Sequence, residues 1–91
     1  MDRSTRWRER ATLAALLRQL RQERHLRQED VALQLSQPQS FVSKYELGER
    51  RLDITELRQI CAVLSVPFTE LVLQFEQRLT EERDASRQTV H

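Results

Sequence analysis

Glycine is almost missing from this chain. Gly48 is the only one in 91 residues, and Pro38 and Pro67 are the only prolines. So few breakers exclude a fold of many short strands and turns and favour helices joined by short connections. Cys61 is the only cysteine, which rules out an internal disulfide and makes a reducing cytosol the expected compartment. The chain holds no apolar run long enough to span a bilayer and no signal-peptide pattern, so neither a membrane segment nor secretion is expected. Its length allows one domain with a modest core and little room for a deep substrate cavity, which favours a binding module over an enzyme.

Catalytic and metal chemistry are also thinly supplied. His25, His91 and Cys61 are too scattered to make a metal set. No Ser or Cys nucleophile stands beside an evident base, and there is no glycine-rich phosphate loop. We therefore expect no enzyme activity, no metal and no cofactor.

What is abundant is arginine: fourteen of the fifteen basic residues, against fourteen acidic ones, for a net charge of +1. The charge is uneven. Residues 1–27 carry eight Arg and three acids, an excess of +5, while residues 28–66 and 67–91 each come to −2. The basic N-terminal end keeps a nucleic-acid partner open.

Hydrophobic residues at 38% are spaced for helices. Leu13, Leu16, Leu17 and Leu20 follow the i, i+3, i+4, i+7 spacing of an amphipathic helix whose other face carries Arg18 and Arg21. A second, shorter helix turns Val31, Ala32 and Leu35 inward and places Glu29 and Asp30 in its first turn, where negative charge is favoured. A third begins at Pro38, which also pushes Gln37 toward an extended conformation, and stops at Gly48. The fourth opens with a capping box of Asp53 and Glu56 and turns Ile54, Leu57, Ile60, Cys61 and Leu64 inward. The fifth carries a stripe of Phe68, Leu71, Val72, Phe75 and Leu79. The head, residues 1–11, has no stripe of its own. If helix one ran back through it, Trp7 would lie about 130° from the leucine face and need a different surface.

The third helix is oddly polar. Val42 and Tyr45 point inward, while Gln39, Ser40, Ser43 and Lys44 share the outer side. Two short helices joined at "LSQPQ" imply a helix-turn-helix, whose second helix stands proud to enter a major groove about 12 Å wide. From Gln28 to Leu47 the chain resembles the Cro and repressor type of helix-turn-helix, the xenobiotic-response-element family. A Gln opens helix two, Ala32 is the small residue within it, and Val31, Leu35, Val42 and Tyr45 are apolar. "VSKYELG" completes the pattern. The resemblance covers roughly residues 13–75.

The resemblance implies an all-α, five-helix lambda-repressor-like domain over residues 12–76, with helix two near 28–35 and the recognition helix near 38–47. Residues 1–11 form a basic arm or a helix extension, and residues 77–91 an extended C-terminal helix end and flexible tail. It implies base contacts from Gln39, Ser40, Ser43 and Lys44, backbone contacts from Gln28, Arg50 and Arg51, and a structural ion pair of Arg21 with Glu46. Gln suits adenine N6 and N7, and Lys suits guanine O6 and N7. Where the family usually carries Gly or another residue that tolerates the left-handed conformation, after helices one, two and four, this chain has His25, Ser36 and Ser65, so those connections are either strained or differently shaped.

These features lead us to expect a DNA-binding transcriptional regulator, a repressor dimeric on a pseudo-palindromic operator, with half-sites about 34 to 36 Å apart. Val72, Phe75, Leu79 and Trp7 form its expected dimer surface. The modest net charge and acidic second half keep another role open, in which the fold chiefly binds a protein such as a toxin or a transcription component.

Overall fold

The computed structural model describes the backbone of residues 3–88 and the side chains of residues 5–85. His91 and the rest of the expected tail beyond Gln88, together with the Arg3 side chain, lie outside the described residues. Five helices follow one another with no strand among the described residues: α1 (Arg3–Glu23), α2 (Gln28–Leu35), α3 (Gln39–Glu46), α4 (Ile54–Val63) and α5 (Phe68–Gln88). α1 and α5 each have 21 residues and run well past the small bundle formed by the other three, so the molecule measures 48 × 23 × 21 Å.

The core forms where the five apolar stripes meet. Leu16, Leu17, Val31, Val42, Ile60, Cys61, Leu64 and Leu71 are fully buried, with Leu20, Ala32, Tyr45 and Val66 packed among them. Full burial of such a side chain is worth about 1.5 to 3 kcal/mol, so this cluster is what allows α2 and α3, only 8 residues each, to persist as helices. Desolvation pushes the Cys61 thiol up to about 11, as expected of a thiol serving as a small apolar core group.

Two of the expected inward residues face out. Ile54 is 68% exposed because it occupies the first position of α4, before the helix has turned onto the core. Val72 is 42% exposed at the edge of the α5 stripe, where its neighbour Leu71 takes the buried position. Pro38 is the residue before α3, with an extended backbone, so the recognition helix begins one residue later than expected, at Gln39. The head is helical from Arg3 onward as part of α1, and α5 stays helical through Gln88.

All four inter-helix connections close their preceding helix in the same way. In each, a residue at the helix cap (Ser36) or just after it (His25, Gly48, Ser65) lies in the left-handed region, its N–H bonds the carbonyl three residues back, and the next N–H bonds the carbonyl five residues back. In the last case Ser65 bonds Ala62 and Val66 bonds Cys61; after α3, Gly48 bonds Tyr45 and Glu49 bonds Lys44. Only the α3 connection uses glycine, at φ 77°. His25, Ser36 and Ser65 take φ of 57°, 55° and 57°. The departures from the family pattern are therefore strained rather than differently shaped, at about 1 to 2 kcal/mol for each residue carrying a Cβ.

At the start of α4, the Asp53 carboxylate accepts from the Glu56 N–H at 2.7 Å while Glu56 accepts from the Asp53 N–H at 2.9 Å. These bonds to the Glu56 N–H and the Thr55 hydroxyl hold the Asp53 carboxyl below its ordinary value. At α2, the Arg27 guanidinium and backbone N–H hold Asp30 down in the same way.

Candidate nucleic-acid interface

α3 is pinned from beneath by two residues. Val42 is fully buried and Tyr45 is 3% exposed, and burial first, then the nearby Glu46 carboxylate, raises the phenol well above its ordinary pKa. Phe41, at the flank, packs edge-to-face on Tyr45 with ring centroids 5.5 Å apart. With that face fixed, Gln39, Ser40 and Lys44 are exposed and Ser43 is half-buried beside them. The four residues expected to read bases therefore lie on the outward side of α3.

Behind this face stands a buried carboxylate. Arg21 approaches Glu46 in a fork, Nε donating at 2.7 Å and Nη2 at 2.9 Å, while its Nη1 donates to the Leu26 carbonyl at 2.9 Å. Arg21 is drawn off the polar face of α1 on which its spacing placed it, to 12% exposure, and Glu46 is left at 2%. Hydrogen bonding to Glu46 keeps the guanidinium pKa above its ordinary value.

The bonding continues toward the surface. Gln28 Nε2 donates to Glu46 Oε1 at 3.0 Å, and Gln39 Nε2 donates to Gln28 Oε1 at 3.4 Å. A line of polar groups thus joins α1, the first residue of α2 and the first residue of α3. Pairing of Arg21 with Glu46 was readable from the motif. The linking role of Gln28 was not, because it depends on how closely the N-termini of α2 and α3 approach.

Arg50 and Arg51 differ. Arg51 is exposed. Arg50 sits over the Phe41 ring at 5.1 Å, donates to Glu56 at 2.7 Å and donates to the Arg51 carbonyl. It can reach a phosphate only by exchanging or sharing Glu56. Glu56, already half of the α4 capping box, was the available clue.

The residues of the expected dimer surface divide. Phe75 packs against the core, Val72 is exposed, and Leu79 joins the 55%-exposed Trp7 along a groove between the outer ends of α1 and α5. Two further contacts in that region escaped the sequence reading. Arg10 stacks on Trp7 at 5.8 Å and reaches the Gly48 carbonyl at 3.4 Å. The buried Thr12 hydroxyl lies 2.9 Å from both oxygens of Glu82.

Two short helices held at their N-termini, the second outward and polar, define a helix-turn-helix DNA-binding domain. The helix-turn-helix family HTH_3 matches residues 17–71, and the chain belongs to this Cro/C1-type, XRE family. An XRE-family-like protein from Pseudomonas syringae pv. tomato is 34% identical with a TM-score of 0.68, over 85% of this chain and 98% of that one. The restriction-modification controller protein C.AhdI from Aeromonas hydrophila is 26% identical with a TM-score of 0.63, over 67% and 92%. The clp gene regulator ClgR from Corynebacterium glutamicum, at 18% identity and a TM-score of 0.74 over 87% of each chain, shares the fold. No curated protein matches the chain. Among the described residues no helix is long and apolar enough to cross a membrane.

Proposed function

We propose that the protein is a sequence-specific double-stranded DNA-binding regulator of transcription, acting in the cytoplasm as a dimeric repressor that occupies a pseudo-palindromic operator. The observation that carries this reading is the outward polar face of α3, with Gln39 steadied by Gln28 and the helix anchored through Glu46 to α1. A reading head must be both exposed and fixed, because a loose side chain loses entropy on meeting a base edge and discriminates poorly.

In this reading Gln39, Ser40, Ser43 and Lys44 face base edges, and Gln28, Arg50 and Arg51 meet the phosphate backbone. The role of C.AhdI as a restriction-modification controller is one form that such regulation takes. Neither chemistry nor a cofactor enters; the protein works by occupancy. Selection of bound sequences from a random duplex library tests the reading. Enrichment of a two-fold symmetric motif, with half-sites about 34 to 36 Å apart, supports it. Recovery of no motif, together with binding that depends only on salt, removes it. A protein-binding role would instead give weak duplex binding with no sequence preference.

A further inference from the structure

We infer that Glu56 sets how tightly the protein binds duplex DNA, by holding Arg50 in the place of a phosphate until DNA takes it. The inference deepens the DNA-binding reading above and rests on it. Glu56 acts through Arg50 and is a positioning residue, not a contact.

Arg50 stands just beyond the reading face. Its backbone N–H and that of Glu49 both bond the Lys44 carbonyl, at 3.3 and 2.9 Å, so the chain folds back on the end of α3. From there the side chain runs toward the start of α4. The guanidinium lies over the Phe41 ring, Nη1 donates to the Arg51 carbonyl, and Nη2 donates to Glu56 Oε2 at 2.7 Å. A ring on one face and an oxygen at each Nη hold this arginine in one pose, although its side chain is still 42% exposed. Arg51 is the contrast: it is exposed, and among the described residues no carboxylate pairs with it.

The Glu56 carboxylate is fixed as well. Its Oε1 accepts the Asp53 N–H at 2.9 Å as half of the capping box, which leaves Oε2 for Arg50. Carboxylate and phosphate offer a guanidinium the same partner, anionic oxygens that accept charge-assisted hydrogen bonds. A phosphate approaching Arg50 meets the Glu56 charge at once, and the carboxylate cannot swing aside without giving up the cap. Two anions crowded on one cation repel, so Arg50 leaves Glu56 for the phosphate rather than bridging them. The ion pair is lost on every duplex the protein binds. Because the free protein is the common reference, that loss weakens all duplexes alike: Glu56 lowers affinity and leaves discrimination to α3. For a regulator that works by occupancy, affinity fixes the protein concentration at which an operator fills.

Glu56→Gln is the direct probe, because glutamine serves equally at that place in a capping box while its amide offers Arg50 no charge. Binding of the full chain is measured for the duplex enriched by library selection and for a scrambled duplex of the same composition. Glu56→Gln should tighten both by the same factor, roughly two- to fivefold, the worth of an exposed ion pair, with helical content unchanged. Combined with Arg50→Ala it should have no effect, whereas combined with Arg51→Ala the gain should persist. In the unaltered chain, the nuclear magnetic resonance signal of the Glu56 carboxylate carbon should move as scrambled duplex is added, since its arginine leaves. Unchanged or weaker binding by Glu56→Gln overturns the inference. So does a gain that survives Arg50→Ala, which marks a general effect of removing a negative charge, or a Glu56 signal that duplex leaves in place. If library selection recovers no motif, the DNA-binding reading falls as well; a selected motif with no gain from Glu56→Gln removes this inference alone.

Discussion

The α2–α3 unit and the outer ends of α1 and α5 solve opposite problems with different means. The first has 8-residue helices too short to be stable alone, and it compensates with fully buried Val31 and Val42 and with a carboxylate locked by Arg21 and Gln28. The second has long helices that carry much of their own hydrogen bonding, cover little apolar surface and meet through one buried hydroxyl and a few small residues. Rigidity is thus concentrated where a helix must present side chains to a partner at fixed pitch. The outer ends have length without depth.

The contrast can be broken most strongly at its buried charge. Glu46→Ala should lower the unfolding free energy by about 3 to 5 kcal/mol, because it strands Arg21 in a largely dry site. Thr12→Val, the corresponding deletion in the outer region, should cost about 1 kcal/mol, since Glu82 is exposed and returns to water. Denaturant titration of both variants checks the ratio; equal losses would remove the distinction between the two regions.

The next effect is on recognition rather than stability. Gln39→Ala and Lys44→Ala should each relax base preference by about 1 to 3 kcal/mol per lost bidentate contact. Their melting temperature should stay unchanged, because both side chains are exposed. Competition between selected and scrambled duplexes measures this, and undiminished discrimination would move the reading head elsewhere.

A smaller change sharpens the comparison from the stabilising side. Ser36→Gly should raise stability by about 1 kcal/mol, because the left-handed turn then carries no Cβ, less the entropy that glycine loses on folding. Ser65→Gly should do the same at a turn far from α3. If only Ser36→Gly alters duplex affinity, the α2–α3 turn sets the pitch of the helix.

The smallest effect is on pH. Asp30 and Asp53 have folded pKa values below the ordinary 3.8, so their capping contributions are fully present above that value and are lost as pH falls through the depressed ones. Acid titration followed by far-ultraviolet circular dichroism should show stability flat near neutrality and falling only below about pH 4, and Asp53→Asn should flatten part of that fall.

The number and order of helices were legible because each carries a local period and some carry a local start or stop: the leucines of α1, the Asp53 box that opens α4, Gly48 that ends α3. Ile54 was misread because periodicity gives a face but not the residue at which a helix first meets the core. Residues 3–11 could not be placed because their helix is held by Thr12 and Glu82, seventy positions apart, and no stripe announces such a contact. At the interface, the outward residues followed from the inward ones. Gln28 and Arg50 did not, since their partners, Glu46 and Glu56, belong to other helices.

The inward turn of Glu46 has one more consequence, for long-range attraction. It is the only acidic residue of α3, and a carboxylate displayed on that helix would repel the phosphates on either side of a groove. Held inside and neutralised by Arg21, it leaves Lys44 as the sole formal charge on the outward side. A chain whose overall charge is only +1 can in this way present a positive helix to a polyanion.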